Sequence, residues 1–93
     1  MALSFEVVYH EKVVRDDIPN ITSSWRTRVR NAIEEKLTIS PDFFGKPLRR
    51  SLKGYRKLRV GEYRVVFRIQ GTKVLILAIL HRSIVYREAE QRG

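Results

Sequence analysis

The side chains of this chain that could perform chemistry are cations, a histidine and a tyrosine in its second half. They are Lys57, Arg64, His81, Arg82 and Tyr86. The first two lie in residues 53–69, where alternating side chains predict a β-hairpin, and the others follow an apolar run at residues 74–80. Cations stabilise charge on a phosphate, and histidine and tyrosine can transfer protons. The pattern therefore indicates a surface built for a polyanion.

The alternation of strand side chains predicts how the hairpin presents its charges. If its loop has an even number of residues, Lys57 or Arg59 lies directly opposite Arg64, and Arg68 shares their exposed face. Like charges across a sheet are destabilising, which favours an anionic partner. A solvated basic face without a site is the alternative, and an odd loop would split the cluster. Glu62 is expected to pair with Arg59 or Arg64.

The composition indicates one small domain, residues 1–93, with an anionic partner. Nineteen Lys and Arg against ten Asp and Glu give a net charge of +9, which favours nucleic acid or acidic protein. The absence of cysteine excludes a disulfide framework and a thiolate metal site, and it suits the reducing cytoplasm. The longest apolar run, residues 74–80, is far shorter than the ~20 residues of a membrane span. Histidines and carboxylates lack metal-binding spacing, so no metal or other cofactor is predicted.

The elements that must position these residues follow from hydrophobic periodicity and turn residues. Strands are predicted at residues 3–9, 52–60, 62–69 and 73–80, and helices at residues 11–18, 22–37 and 83–91. The order predicts an α+β fold: an antiparallel sheet of about four strands, with an N-terminal helical hairpin on one face and a short C-terminal helix. The last three strands are expected to form an antiparallel meander, and the first strand to pair with its edge. Pro19 is expected to end the first helix, and Phe43 and Phe44 to fix the following loop to the core.

Two segments resemble the signatures of a known protein family. Residues 54–67, Gly-Tyr-Arg-Lys-Leu-Arg-Val-Gly-Glu-Tyr-Arg-Val-Val-Phe, are similar to the central signature of the RelE/ParE toxin superfamily, and residues 81–88 to its C-terminal signature. The resemblance implies the RelE-like fold. It also implies a metal-independent, ribosome-dependent mRNA endoribonuclease that inhibits translation, in which a ribose 2′-hydroxyl attacks the adjacent phosphate.

The same resemblance implies a role for each of the five residues. Lys57 matches a lysine that stabilises the phosphate charge or assists the base, and Arg64 an arginine that contacts the scissile phosphate. Arg82 matches an arginine that stabilises or protonates the leaving group. Tyr86 matches a tyrosine that packs on a nucleobase and takes part in proton transfer. His81 is expected to act as the general acid.

Further cations are expected to bind the RNA backbone. They are Lys53, Arg56, Arg59 and Arg68. The chain departs from the family pattern at Tyr55, where well-known members place a second lysine. This departure leaves the general base open, with Lys53 or Arg56 as a candidate replacement.

The resemblance also leaves other functions open. ParE-like members share the fold and inhibit DNA gyrase without cutting RNA, and Arg64 and Arg82 do not distinguish them. Lys57, together with His81 and Tyr86, favours the ribonuclease. A module that only binds RNA or protein is a third class. The implied partners are a cognate antitoxin, the ribosome and mRNA, with promoter DNA reached through the antitoxin complex; no membrane partner is expected.

Overall fold

The computed structural model describes residues 4–93, which form one five-stranded sheet with helices on both faces. The strands are β1 (Glu6–Tyr9), β2 (Lys46–Pro47), β3 (Arg56–Val60), β4 (Tyr63–Gln70) and β5 (Lys73–His81). Their order is β1-β5-β4-β3-β2, with β1 parallel to β5 and the other neighbours antiparallel. The α+β class is as predicted, and the first strand pairs with the edge of the meander. The two-residue β2 adds to the predicted four strands, and the predicted start of the first strand at Leu3 lies outside the described residues.

Helical segments surround this sheet. They are a π-helical turn at Val13–Asp17, a 3₁₀ turn at Ile18–Asn20, α1 (Ser23–Ala32) with a π-helical continuation at Ile33–Leu37, α2 (Pro41–Phe44), a 3₁₀ turn at Arg50–Leu52, and α3 (Val85–Arg92). The N-terminal helical hairpin is present, but Pro19 lies inside a helical turn instead of ending the helix, because proline fits the first positions of a turn. Among residues 4–93, none of the helices has the length and hydropathy to cross a membrane.

Two hydrophobic layers cover the sheet, one on each face. The N-terminal helices pack over the face that carries Leu58 and Phe67, and α3 packs over the face that carries Val66 and Ala78. Successive strand residues point to opposite faces. The consecutive residues Val65, Val66 and Phe67 are nevertheless all 0% exposed, because both faces are covered.

The loop after the helical hairpin is held by Pro41 and Gly45. Pro41 is buried, and a Cβ at Gly45 would lie 2.2 Å from the Phe67 ring, so the backbone packs directly on the core. Phe43 is 79% and Phe44 37% exposed. The prediction that these two rings fix the loop is therefore wrong, since α2 turns them outward while its proline enters the core.

The segment before β3 is a turn, although the sequence pattern predicts a strand from residue 52. Leu52 ends the 3₁₀ turn and is buried in the layer under α3, and Gly54 has a φ of 95°. β3 therefore begins only at Arg56. The apolar Leu52 belongs to the helix-covered layer and not to the alternation of the strand.

The hairpin between β3 and β4 turns over two residues, Gly61 and Glu62. Gly61 has a φ of 60°, and a Cβ there would lie 2.2 Å from Cη2 of Trp25, so both backbone and packing require glycine. This even loop places Arg59 directly opposite Arg64.

Candidate functional site

One open cavity collects the five residues predicted to do chemistry. Its volume is about 390 Å³, and its lining residues are Lys57, Arg64, His81, Arg82, Ser83 and Tyr86. We call it the candidate cavity. Three cations, an imidazole, a phenol and a hydroxyl therefore share one solvent-accessible space.

Strand register explains why these residues meet. Lys57 pairs with Val66, which lies two residues after Arg64 on β4, so the Lys57 and Arg64 side chains share one face of the sheet. Arg64 in turn pairs with Leu80, the residue before His81. The end of β5 thus brings His81 and its successors beside the two hairpin cations.

Arg64 is anchored by the hairpin turn that precedes it. Its Nη1 donates hydrogen bonds to the carbonyl oxygens of Gly61 and Tyr63, both at 2.9 Å. These acceptors are neutral. A phosphate carries negative charge and can accept two parallel N–H bonds from a guanidinium, so it can compete with these carbonyls for Arg64.

Arg82 forms an exposed ion pair at the rim of the candidate cavity. Its Nε lies 2.7 Å from Oε2 of Glu62, and the two side chains are 59% and 61% exposed. The backbone N–H of Arg82 also donates to the Glu62 carbonyl at 2.8 Å. The prediction that Glu62 pairs with Arg59 or Arg64 is therefore wrong, because this backbone bond carries the Arg82 side chain to the turn. An exposed pair contributes about 0–1 kcal/mol, so an incoming anion can replace Glu62 at little cost.

His81 is oriented by Ser83, which sequence reasoning missed. The backbone N–H of Ser83 donates to Nδ1 of His81 at 3.1 Å, and the Ser83 hydroxyl lies 2.8 Å from the same nitrogen. Because Nδ1 accepts a hydrogen bond, the proton of the neutral imidazole is on Nε2. The Tyr63 ring also meets the imidazole edge to face, with the ring centroids 6.3 Å apart.

Tyr86, in the first turn of α3, contacts Lys57 of β3. The Lys57 ammonium lies 5.8 Å from the centroid of the Tyr86 ring, a cation–π contact. Tyr86 is half-buried and packs against the hydrophobic layer under α3. The ring is therefore held in place on one side while it lines the candidate cavity on the other.

α3 divides the basic face that the strand alternation predicts. Arg68 lies outside the candidate cavity, 5.5 Å from the Tyr55 ring, and lines a different cavity with Arg92. Arg59 is exposed opposite Arg64 but does not line the candidate cavity. The predicted single cluster of four strand cations is therefore wrong, because α3 packs on the face that was expected to be open.

The remaining predicted RNA contacts lie away from the candidate cavity. Arg56 is on the face of the N-terminal helices, where its Nη1 donates to the Gly45 carbonyl at 3.0 Å. It therefore cannot replace the missing second lysine. Lys53 is exposed in the turn before β3 and is likewise absent from the lining.

A buried ion pair, also missed by sequence reasoning, fixes the far end of α3. Arg92 forms two bonds with the Asp17 carboxylate, at 2.6 and 2.8 Å, and the side chains are 5% and 1% exposed. The hydrogen bond to Asp17 raises the pKa of Arg92 above its ordinary value despite burial. One signal was available in the sequence: Asp17 lies four residues from both Val13 and Ile21, an apolar helical stripe.

The strand geometry and the clustered cations define a small basic α+β protein with a cavity lined by three cations. A sequence model described as the ParE toxin of the type II toxin–antitoxin system parDE matches residues 8–86. The chain therefore belongs to the ParE/RelE toxin family. Among residues 4–93, no three His, Cys, Asp or Glu side chains are grouped so that they could hold a metal ion.

Individual relatives agree with this family. Toxin RelG of Mycobacterium tuberculosis is 45% identical over 53 residues, which are 55% of this chain and 61% of the relative. The chain thus spans about three-fifths of the length of that relative. The toxin–antitoxin complex RelBE2 of M. tuberculosis contains a chain with a TM-score of 0.79 and 31% identity, covering 87% of this chain and 94% of that one. A mutant of E. coli toxin RelE in the free state shares the fold, with a TM-score of 0.66, 18% identity and coverage of 96% and 97%.

Proposed function

We propose that this protein is the toxin of a type II toxin–antitoxin system and that it inhibits translation as a ribosome-dependent mRNA endoribonuclease. The observation that carries the proposal is the convergence of Lys57, Arg64, His81, Arg82 and Tyr86 on the candidate cavity. Family membership and the similarity to Toxin RelG support it.

In the proposed reaction the RNA supplies both the nucleophile and the leaving group. The ribose 2′-oxygen forms a bond to the adjacent phosphorus as the bond to the leaving 5′-oxygen breaks. The products are a 2′,3′-cyclic phosphate and a 5′-hydroxyl. A base must accept the 2′-hydroxyl proton, cations must stabilise the charge on the phosphate, and an acid must protonate the 5′-oxygen.

The geometry supports a division of these roles. Arg64 and Arg82 bind the phosphate oxygens after exchanging their present acceptors for it. The Tyr86 ring, held by the layer under α3, packs on a base beside the phosphate. Lys57 lies against the same ring, where it stabilises the phosphate charge or assists the general base that accepts the 2′-hydroxyl proton. His81 serves as the acid in its imidazolium form: it gives the Nε2 proton to the leaving 5′-oxygen, while the Ser83 hydroxyl accepts a hydrogen bond from Nδ1.

Inhibition of DNA gyrase is the second candidate function. The description of the matching family model names the ParE toxin, which favours this alternative. This alternative involves no cleavage of RNA, so it has no need of a group that protonates a leaving 5′-oxygen. Variants of His81 and Tyr86 therefore separate the two functions.

The proposed partner of the free toxin is a cognate antitoxin. Structural neighbours include the RelBE2 complex and a RelB–RelE antitoxin–toxin complex from Methanococcus jannaschii. A net charge of +9 favours an antitoxin with an acidic segment. In this proposal the protein acts in the cytoplasm on the ribosome and mRNA, and the toxin–antitoxin complex reaches promoter DNA through the antitoxin.

Primer extension on a reporter message in a translating extract tests the ribonuclease. We expect codon-phased cuts only on translated message. Arg64→Ala should reduce cutting by about 10²–10³-fold, the cost of removing one preorganised donor to a developing anion. The same change removes the two partly exposed hydrogen bonds from Arg64 to the Gly61 and Tyr63 carbonyls, so it should lower the free energy of unfolding by about 1 kcal/mol.

Lys73→Gln is the matched control. It removes one positive charge at the opposite end of β5 from His81, where Lys73 is exposed. Cutting by this variant should equal that of the wild type. An intact translated message with wild-type protein would contradict the ribonuclease, and a supercoiling assay would then test gyrase inhibition.

A further inference from the structure

A second cavity adjoins the candidate cavity. Its volume is about 310 Å³, and it is lined by loop residues 48–52, by Glu90 of α3, and by Lys57 and Tyr86. We call it the flanking cavity. Lys57 and Tyr86 line both spaces, so the two cavities lie side by side and share these two side chains. We call the two cavities together the groove.

The loop that forms the flanking cavity has a defined conformation. Leu52 is buried in the layer under α3, and the Ser51 hydroxyl donates to the Glu90 carboxylate. The backbone N–H of Lys53 donates to the Arg50 carbonyl at 3.0 Å. The cations of this loop are therefore held beside α3.

Arg50 has an unusual backbone for its residue type. Its φ is 57°, and it is the non-glycine residue with positive φ among residues 4–93. Glycine or asparagine adopts this conformation more readily than a long side chain does. Folding alone would therefore favour another residue, which points to a role for the exposed guanidinium.

The charges of the flanking cavity favour an anion. Arg49 and Arg50 are both exposed, and within residues 4–93 neither forms an ion pair. Together with Lys57 they place three cations against one carboxylate, Glu90, which accepts the bond from Ser51. The net charge of the flanking cavity is therefore positive.

We propose that the flanking cavity binds a phosphate of single-stranded RNA next to the scissile one, with Arg50 as its main contact. This inference rests on the proposed function, because it extends the path of the same RNA. Continuity with the candidate cavity and the aromatic Tyr86 between them favour a polynucleotide, whose bases stack on aromatic rings while its phosphates bind cations. An acidic peptide would use the charges but not the ring.

Binding of non-cleavable RNA to Arg50→Gly tests the inference. Fluorescence anisotropy would be measured with 2′-O-methyl oligonucleotides of increasing length over a range of salt concentrations. Wild-type affinity should increase once the oligonucleotide is long enough to reach the flanking cavity. In Arg50→Gly this increment should disappear, and the slope of log K against log salt should fall by about 0.7, the value for one phosphate contact on a single strand.

Two variants control for charge and folding. Arg50→Asn also suits a positive φ and should behave as Arg50→Gly does. Lys73→Gln removes the same charge far from the groove and should retain the wild-type slope and length increment. Thermal unfolding followed by circular dichroism should show that both Arg50 variants fold.

The outcomes separate this inference from the proposed function. Equal slopes and increments in wild type and Arg50→Gly would overturn the inference, even where translated message is cut. If Arg50→Gly binds a polyglutamate peptide less tightly than the wild type does but binds RNA equally well, the inference is overturned in favour of a protein partner. If no message is cut but the RNA increment still depends on Arg50, the flanking cavity is supported and the ribonuclease is contradicted.

Discussion

Two ion pairs of opposite character lie just before α3 and at its end. In the segment that leads into α3, Arg82 pairs with Glu62 at the rim of the candidate cavity, with side chains 59% and 61% exposed. At its end, Arg92 and Asp17 pair with side chains 5% and 1% exposed. Exposed pairs exchange partners readily, whereas a broken buried pair leaves an uncompensated charge. The comparison indicates that one end of α3 is available to bind while the other is fixed.

The buried pair also completes the edge of the sheet. β1 pairs with β5 only as far as Ile76. Beyond that point the Asp17 carboxylate accepts the N–H of Ile79 at 3.0 Å, and Arg92 donates to the Leu77 carbonyl at 3.1 Å. Side chains therefore satisfy backbone groups that a longer β1 would have paired. The same atoms attach α3, and hence Tyr86, to the sheet.

Asp17→Ala would break the fixed end and should have the largest effect on stability. It leaves the Arg92 guanidinium buried without its partner and the Ile79 N–H without its acceptor. Removing one member of a buried pair costs about 3–5 kcal/mol. Urea unfolding of the variant should show this loss in the free energy of unfolding.

Asp16→Ala is the neighbouring control. Asp16 is 49% exposed and pairs with the exposed Arg15, so its removal should change stability by no more than about 0.5 kcal/mol. A further variant, Asp17→Leu with Arg92→Met, replaces both charges by apolar groups and should recover the part of the loss that comes from the unpaired guanidinium, but not the part from the Ile79 N–H. Equal stabilities of Asp17→Ala and Asp16→Ala would refute a structural role for the buried pair.

Glu62→Gln would sharpen the comparison at the exposed end. It should change the free energy of unfolding by less than about 1 kcal/mol, because the Arg82 pair is exposed. It should also strengthen binding of a 2′-O-methyl oligonucleotide by up to about fivefold, the same energy expressed as an equilibrium constant. The reason is that the RNA phosphate no longer competes with the Glu62 carboxylate for Arg82.

Glu35→Gln serves as the control for net charge. Glu35 is exposed on the N-terminal helical hairpin, away from the candidate cavity. Its oligonucleotide affinity should increase less than that of Glu62→Gln. Equal increases in the two variants would mean that overall charge, and not the release of Arg82, controls binding.

Local rules predicted much of the fold and the grouping of the candidate cavity. Hydrophobic periodicity identified the helical hairpin and the meander. Strand alternation predicted Lys57 and Arg64 on one face for a loop with an even number of residues, and the loop of the structure has two. The end of the apolar strand predicted that His81 and Arg82 follow it directly, and in the structure this end pairs with the start of β4.

Contacts between distant segments were not predictable in the same way. Asp17 and Arg92 are 75 residues apart, and no local pattern pairs them. The cover that α3 provides was also missed, although Val66 lies between Arg64 and Arg68 on the face expected to be exposed and is 0% exposed. An apolar residue within a cationic strand face was the available sign of packing. Periodicity shows that a face is mixed, but not which element covers it.

The smallest predicted effect is an alkaline loss of stability at the last residue of β1. Burial, followed by the nearby Glu34 carboxylate, raises the pKa of Tyr9 above its ordinary value of 10.0, while Arg30 opposes the shift. Because the folded state holds this proton more tightly than the unfolded state, the contribution is complete below about pH 10 and is lost as pH rises through the folded pKa. The hydrogen bond to Asp17 raises the pKa of Arg92 above its ordinary value, so this guanidinium keeps its proton in the same window.

Tyr9→Phe should therefore reduce the fall in unfolding free energy above pH 10 without changing the behaviour of the Asp17–Arg92 pair. The difference in slope cannot exceed about 1.4 kcal/mol per pH unit, the value for one proton. Urea unfolding of wild type and variant between pH 8 and about pH 11 measures it, and the other ionising groups supply a common background. Parallel curves for the two proteins would mean that Tyr9 ionises equally well in the folded and unfolded states. The alkaline loss would then arise elsewhere, and the end of β1 would have no part in it.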